Sequence, residues 1–122
     1  MVQFSSSQDR LMTPLLLQET PSELSQPEEV FERAAELFRV MSAPMRLKII
    51  SCLCDGEKNV SHLLGRIDTT QPNMSQHLNT LYQAGILGKR REGVQIYYRI
   101  VDDRVAALCH AVCAQIADKT AS

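Results

Sequence analysis

Apolar side chains recur at helical spacing once the chain has passed its polar N-terminal stretch. Residues 27–41 place Phe31 and Phe38 on one face, which predicts a first helix. A second helix is predicted from Pro44 to the Asp55-Gly56 pair, where an acidic residue and a glycine end the pattern. This second helix is apolar on most of its faces, so we expect it at the centre of the fold.

The stretch that follows predicts a helix-turn-helix. Asn59 can cap a short third helix, and residues 68–70 form a turn before a fourth helix that begins at residues 71–73 and runs to Gly85. The apolar stripe of the fourth helix contains Met74, His77, Leu78, Leu81 and Tyr82. Because His77 lies on that stripe, we expect a hydrogen-bonded structural histidine there rather than a contact with bases.

The opposite face of the fourth helix is rich in amides and uncharged. Its side chains are Asn73, Gln76, Asn79, Thr80 and Gln83. A helix that is merely solvated usually exposes Lys and Glu in pairs four residues apart. Asn and Gln can both donate to and accept from base edges in a major groove, so this face favours DNA contact over solvent alone.

After Gly85 the period changes from helical to alternating, which predicts a β-hairpin. Residues 86–91 form one arm, Glu92-Gly93 the turn, and residues 94–100 the second arm. Three basic residues near the tip are not needed for folding, so we interpret them as phosphate contacts. They are Lys89, Arg90 and Arg91.

The last predicted helix covers residues 102–119. One stripe holds Val105, Leu108, Cys109, Val112 and Ile116. Since the ordered part of the chain is small, we expect this stripe to pack against a partner subunit as well as against its own core.

Length and composition fit one small domain preceded by a tail. The chain has 122 residues, of which 44% are hydrophobic and 22% charged, which excludes a chain that is disordered throughout. Residues 1–26 are rich in Ser, Gln, Thr and Pro and predict a flexible N-terminal tail, while residues 27–119 form the folded domain. We find no signal peptide or membrane span, so we expect a cytoplasmic protein that does not interact with a membrane.

The formal net charge of −1, taken alone, disfavours nucleic acid as a partner. Charge is nevertheless distributed unevenly: residues 1–40 sum to −4, residues 41–101 to +4 and residues 102–122 to −1. Attraction for phosphate depends on local potential more than on total charge. The basic middle of the chain is therefore compatible with either a DNA-binding face or a solvated charge cluster.

These elements together describe a mainly α winged helix-turn-helix with a β-hairpin as the wing. Three segments carry a specific resemblance in order and spacing: "MSAPMRLKII", "QPNMSQHLNTLYQAGIL" and "KRREGVQIYYRI". Over about residues 30–118 the chain resembles the ArsR/SmtB family of bacterial repressors. The resemblance implies a homodimer paired through its first and last helices, which binds double-stranded operator DNA until an inducer acts.

The resemblance also implies the residues that contact DNA. The groove-facing candidates on the fourth helix are Gln71, Asn73, Ser75, Gln76 and Asn79. Thr69 and Thr70 would approach the backbone, and the wing would act through Lys89, Arg90, Arg91 and Gln95.

The metal sites of this family do not match the sequence. The arsenic-type thiols of the third helix would fall on residues 59–61, which contain no cysteine. The zinc site of the last helix would fall on Asp102, Arg104, Gln115 and Asp118. A cationic residue and a poor zinc ligand make that site improbable, so the chain predicts no bound metal and no cofactor.

Four cysteines remain as sensor candidates: Cys52, Cys54, Cys109 and Cys113. We expect them to be reduced at rest in the cytosol. Cys52 and Cys54 point about 200° apart on a helix. Cys109 and Cys113 are neighbours four residues apart, too far for a simple disulfide without distortion, but within reach of As(III) or a chain of sulfur atoms.

The chain is most similar in style to the ArsR-type sulfide and persulfide sensors, which couple a thiol of the second helix to a thiol of the last. This similarity implies Cys54 and Cys113 as the preferred pair, each displaced by about one turn from the family positions, with Cys52 and Cys109 as substitutes. An alternative is that all four cysteines are small core hydrophobes.

The leading hypothesis is a repressor, not an enzyme, whose DNA affinity falls when its cysteines are oxidised or persulfidated. The same repressor induced by As(III) or another thiophilic ion at Cys109 and Cys113 is the first alternative. A thiol enzyme is a second alternative, although His110 projects about 100° away from Cys109. An interaction module that has lost DNA binding is a third.

Overall fold

The computed structural model of the protein describes residues 26–121. In chain order its elements are α1 (Glu28–Met41), α2 (Pro44–Leu53), β1 (Lys58–Asn59), α3 (Val60–Arg66), α4 (Gln71–Gln83), β2 (Leu87–Glu92), β3 (Gln95–Ile100) and α5 (Asp103–Ala121). The predicted mainly α fold with a β-hairpin is confirmed. Apart from Gln26, the predicted tail lies outside the described residues and stays a prediction.

The described residues divide into two units, one that ends at Glu36 and one that begins at Leu37. The described part of the first unit is the beginning of α1. Two glutamates, Glu28 and Glu29, occupy its first turn, where carboxylates favour the positive end of the helix dipole. An ion pair of 3.0 Å between Glu29 and Arg33 adds an i,i+4 contact.

The second unit is built around α2. Ile49, Ile50 and Leu53 of this helix are buried, which confirms the predicted central position. Buried residues from α3, α4 and both hairpin strands surround it: Leu63, Met74, Leu78, Leu81, Leu87 and Tyr98. One apolar core therefore fixes the helix-turn-helix and the hairpin relative to each other.

Side-chain caps set the start of both helices of the helix-turn-helix. The carboxamide oxygen of Asn59 accepts a hydrogen bond from the backbone N–H of His62 at 2.8 Å, as predicted. The hydroxyl of Thr70 accepts from the backbone N–H of Asn73 at 3.3 Å. The helix α4 ends at Gln83, two residues before the predicted end, and Gly85 then adopts a φ of +80°.

The hairpin forms where it was predicted, but its turn is shifted by one residue. Glu92 pairs with Gln95, so the two loop residues are Gly93 and Val94 rather than Glu92 and Gly93. Gly93 has a φ of +64°, and a glycine with positive φ at the first loop position matches a type II′ turn. The register of the hairpin therefore follows from the positive φ of Gly93, which the sequence pattern did not reveal.

The short strand β1 was not predicted. Its two residues pair antiparallel with β3, Lys58 with Tyr98 and Asn59 with Tyr97. The sheet thus has three strands in the order β1-β3-β2. Two residues are too few to show an alternating pattern, so only the tertiary structure reveals this strand.

The last helix, α5, uses the first half of its apolar stripe in the core. Val105 and Cys109 are buried and Leu108 packs against them. Val112 and Ile116, further along the stripe, are 48% and 59% exposed, so the predicted packing of this part against a partner subunit stays a prediction. Within the described residues, every helix is too short or too polar to traverse a lipid bilayer.

Candidate nucleic-acid interface and thiol cleft

The polar face of α4 is open to solvent. Gln71, Ser75, Gln76 and Asn79 are exposed, while Met74, Leu78 and Leu81 on the opposite side are buried. Tyr82 was placed on the buried stripe, but it is 37% exposed and lies at the edge of that stripe. The helix therefore offers amide and hydroxyl groups over most of its length without a charged side chain of its own.

The N-terminus of α4 is held by a small hydrogen-bond network. The side-chain amide of Asn73 donates to the hydroxyl of Thr69 at 2.8 Å, and Thr70 caps the helix. Asn73 is half-buried. The structure thus brings Thr69, Thr70 and Asn73 together at one end of α4.

His77 connects α4 to the helix α2. Its Nδ1 accepts a hydrogen bond of 3.1 Å from Nη1 of Arg46, whose Nε donates to the carbonyl of Val40. Burial and the charge of Arg46 lower the pKa of His77. The histidine is half-buried and hydrogen-bonded, as expected of a structural residue.

The basic residues of the hairpin lie on two faces of the sheet. Alternation along β2 places Lys89 and Arg91 on the face that carries the buried Tyr98, and Arg90 on the other face with Tyr97. The ammonium group of Lys89 lies 4.5 Å from the ring centroid of Tyr82 in α4. Lys89 and Arg91 therefore share the side of the wing that borders α4.

Arg90 is paired with two carboxylates. Its Nη2 lies 2.8 Å from Glu57 and its Nη1 lies 3.0 Å from Glu92. Sequence reasoning missed Glu57, because it precedes β1 and is 33 residues away from Arg90. The outer face of the wing, which also carries the exposed Gln95, thus differs in charge from the face that borders α4.

Three of the four thiols line one cleft between α2 and α5. This thiol cleft has a volume of about 310 Å³ and is lined by Ser51, Cys54, Cys109, His110, Cys113 and Ala114. Cys54 and Cys113 are exposed, whereas Cys109 is buried. Cys52 does not line the cleft and packs against the core. A hydrophobic role thus fits Cys52, but it does not account for the two exposed thiols.

The environment of the cleft keeps two thiols protonated. Burial, followed by the neighbouring Cys113 and Cys54, raises the pKa of Cys109 to about 11. Burial and the charge of Asp55 raise the pKa of Cys54. The sulfur atoms of Cys109 and Cys113 lie 4.0 Å apart, about twice the length of a disulfide bond.

The described residues offer few groups that could coordinate a metal ion. Between Gln26 and Ala121, no group of three or more His, Cys, Asp or Glu side chains could hold a metal ion. Arg104 donates to both carboxylate oxygens of Asp102 at 2.9 and 2.7 Å, so a cation would compete with a guanidinium at the position of the family's zinc site.

An exposed polar helix after a short helix and turn, followed by a basic hairpin, defines a winged helix-turn-helix protein. A sequence model described as "Bacterial regulatory protein, arsR family" matches residues 43–89. The biofilm growth-associated repressor of Agrobacterium fabrum is 38% identical over 104 residues, which cover 85% of this chain and 87% of that protein. The chain belongs to the ArsR family of bacterial regulatory proteins.

Two solved structures are similar in fold and sequence. The transcriptional repressor BigR from Xylella fastidiosa has a TM-score of 0.62 and 35% identity, covering 70% of this chain and 90% of that one. The homodimeric winged helix-turn-helix domain of Mb0332 from Mycobacterium bovis has a TM-score of 0.64 and 27% identity, covering 80% and 93%. Family membership places this chain among DNA-binding regulators rather than enzymes.

Proposed function

We propose that the protein is a homodimeric repressor that releases operator DNA when thiols in the cleft between α2 and α5 are oxidised or persulfidated. The observation that carries this proposal is the grouping of Cys54, Cys109 and Cys113 around one cavity. Similar proteins in Agrobacterium and Xylella are named repressors, which supports repression as the direction of control.

DNA binding in this proposal uses α4 and the wing. The exposed side chains Gln71, Ser75, Gln76 and Asn79 enter the major groove, while Thr69 and Thr70 approach the backbone at the start of α4. Asn73, also a groove-facing candidate from the sequence, is half-buried and donates to Thr69. Lys89 and Arg91 follow the adjacent phosphates from the face of the wing that borders α4. Arg90 and Gln95, which sequence analysis also assigned to the wing contact, lie on its outer face. The exposure of the groove-facing side chains and of Lys89 and Arg91 supports their availability to DNA.

Dimer formation through the first and last helices is supported by exposed apolar side chains. Phe38 of α1 and Val112 of α5 line one apolar cavity, and they are 56% and 48% exposed. Ile116, one turn further along α5, is also exposed. A pairing of two copies would remove these side chains from water, and the similar domain of Mb0332 is described as homodimeric.

The sensing step requires an oxidant, which we take to be an inorganic polysulfide. The exposed Cys113 attacks a sulfane sulfur atom and expels a shorter hydropolysulfide, leaving a persulfide on the protein. The expelled hydropolysulfide then transfers one sulfur atom to this persulfide and leaves as hydrogen sulfide. A second thiol attacks the extended sulfur chain, expels its terminal sulfur as a second hydrogen sulfide and so closes the bridge. In total, two thiols and one trisulfane yield a protein trisulfide and two molecules of hydrogen sulfide.

The distance between the two sulfur atoms on α5 favours a bridge longer than a disulfide. Two S–S bonds of about 2.05 Å joined at an angle span just over 3 Å, closer to the observed 4.0 Å between Cys109 and Cys113 than one bond is. Cys54 lines the same cleft, so a bridge from Cys54 to Cys113 stays the preferred link between α2 and α5.

A mobility-shift assay on the protein's own promoter, with and without inorganic polysulfide, tests this function. We expect DNA release by polysulfide, reversal by dithiothreitol, and a linked peptide pair within the cleft by mass spectrometry. Cys52→Ser serves as a matched control outside the cleft and should still respond. DNA release that occurs while all four thiols remain unmodified contradicts the proposal.

A second candidate inducer is As(III) or another thiophilic ion bound by Cys109 and Cys113. The observation that favours it is their short sulfur–sulfur distance. This alternative predicts stoichiometric arsenite binding that is lost in Cys109→Ser and in Cys113→Ser but kept in Cys54→Ser. The polysulfide-driven bridge between helices instead requires Cys54, so the Cys54→Ser variant separates the two inducers.

A further inference from the structure

Arg90 is held firmly on the outer face of the wing. Its Nε and Nη2 donate to the two carboxylate oxygens of Glu57 at 2.9 and 2.8 Å, and its Nη1 donates to Glu92 at 3.0 Å. Its guanidinium carbon lies 4.6 Å from the centroid of the Tyr97 ring. Two parallel hydrogen bonds to one carboxylate fix the plane of a guanidinium group, so Arg90 is restricted to one orientation.

The pair of Arg90 and Glu57 spans the sheet. Asn59 of β1 pairs with Tyr97 of β3, which pairs with Arg90 of β2. Glu57 immediately precedes β1, so the Arg90 side chain crosses the ring of Tyr97 to reach it. Because β1 contributes only two residues, this ion pair reinforces a short connection between the hairpin and the segment that leads into α3.

The charges around Arg90 offer phosphate no net attraction. The hydrogen bond from Arg90 lowers the pKa of Glu57, and the charge of Arg99 acts in the same direction. The outer face thus gathers two basic residues, Arg90 and Arg99, and two acidic ones, Glu57 and Glu92. A phosphate that approached Arg90 would meet two carboxylates, whereas Lys89 and Arg91 lie on the opposite face.

We propose that Glu57 and Arg90 form a clamp that sets the angle of the wing, so that Arg90 is a positioning residue and phosphate contact falls to Lys89 and Arg91. This inference rests on the proposed binding of DNA by the wing and specifies how the wing is oriented. It reverses the expected effect of a charge change: removal of the acid Glu57 should weaken DNA binding, although it makes the protein more basic.

The test compares four variants by fluorescence anisotropy on a duplex carrying the protein's own promoter. We expect Glu57→Gln and Arg90→Ala each to weaken binding by up to about fivefold, because an exposed ion pair is worth about 1 kcal/mol or less. The double variant should bind no more weakly than either single variant, because both remove the same interaction. Asp55→Asn is the matched control, since it removes the same charge from the same turn together with an ion pair to Lys58 of β1, but leaves the contacts of Arg90 in place.

Salt dependence separates a clamp from a phosphate contact. A clamp leaves the slope of log affinity against log salt unchanged in Arg90→Ala, whereas loss of one phosphate contact reduces the slope by about one. Arg91→Ala should show that reduction. Binding by Glu57→Gln that equals or exceeds that of Asp55→Asn overturns the clamp, and so does a reduced slope in Arg90→Ala.

Amide hydrogen exchange in the free protein gives a readout that does not depend on DNA. Glu57→Gln and Arg90→Ala should exchange faster than Asp55→Asn in β2 and β3, with α2 and α4 unchanged as evidence of an intact fold. Equal exchange in β2 and β3 among the three variants overturns the clamp. If the unmodified protein fails to bind the promoter, the proposed function fails, while hydrogen exchange still decides whether the clamp exists.

Discussion

At the scale of single residues, one arginine joins three parts of the second unit. Arg46 donates to the carbonyl of Val40 at the end of α1 and to His77 in α4. The imidazole must be neutral at Nδ1 to accept this hydrogen bond. The protonation state of His77 therefore affects how α4 is attached to α2.

Acidification should destabilise the protein through His77. Its pKa is lowered in the folded state by burial and by Arg46, from an ordinary value of 6.5, so the unfolded chain binds more protons as the pH falls below that value. The contribution of His77 to the free energy of unfolding should be constant above about pH 6.5 and decrease below it, as the pH approaches the folded-state pKa. Urea unfolding between pH 7.5 and 5.5 measures this effect.

A matched variant isolates the histidine from the other titrating groups. His77→Gln keeps an acceptor for Arg46 but cannot be protonated in this range. The pH dependence should be smaller in His77→Gln than in the unmodified protein. Equal slopes in both proteins would show that His77 does not contribute.

Gln76 should carry sequence discrimination. It is exposed near the middle of the polar face of α4, and a bidentate contact between an amide and a base is worth about 1–3 kcal/mol of discrimination. In Gln76→Ala, affinity for the promoter duplex should fall by that amount while affinity for a random duplex stays unchanged. Anisotropy titrations on both duplexes measure the ratio, and Gln83→Ala at the end of α4 is the control. Equal losses on both duplexes would count against this assignment.

At the scale of elements, the wing depends on one backbone conformation. Gly93 has a φ of +64°, which side chains with a Cβ rarely adopt. The neighbouring loop residue, Val94, is 92% exposed and contributes little to packing. The turn thus depends on the glycine and tolerates change beside it.

Gly93→Ala should lower the free energy of unfolding by about 1–2 kcal/mol, which is the cost of the left-handed conformation for a residue with a side chain. Val94→Ala, the control at the adjacent position, should change it by less than about 0.5 kcal/mol. Chemical denaturation with both variants tests the comparison. A loss in Val94→Ala as large as that in Gly93→Ala would contradict the assigned turn.

At the scale of the whole molecule, one copy of the motif would cover only half of a two-fold operator. The apolar side chains Phe38, Val112 and Ile116 are exposed in the single chain. The unfavourable free energy of exposing these side chains to water is removed when two copies pair. Because only a dimer covers both halves of such an operator, we expect DNA affinity as well as dimer formation to depend on the C-terminal half of α5.

Ile116→Glu should convert the dimer to a monomer, because pairing would bury an unpaired carboxylate. Analytical ultracentrifugation at micromolar concentration measures the change, with circular dichroism as a check on helix content. Ala107→Glu adds the same charge at an exposed position on a different face of α5 and should leave the dimer intact. Monomers in both variants, or dimers in both, would contradict this interface.

The sequence by itself determined the five helices, the hairpin and their order, but not the strand β1. Helical periodicity, the cap at Asn59 and the alternation after Gly85 are local signals, so they could be predicted without knowledge of the fold. The amide-rich face of α4 was likewise visible, because residues three and four apart share a face in any helix. The uneven charge followed from counting along the chain.

Only the tertiary structure decided which distant residues meet. The contacts of Arg46 with His77 and of Arg90 with Glu57 join residues 31 and 33 positions apart, and no local pattern specifies such pairs. Packing of α2 against α5 brought three thiols to one cleft and left Cys52 outside it. Periodicity gives each residue a face on its own element, but only the arrangement of elements around a shared core determines what that face meets.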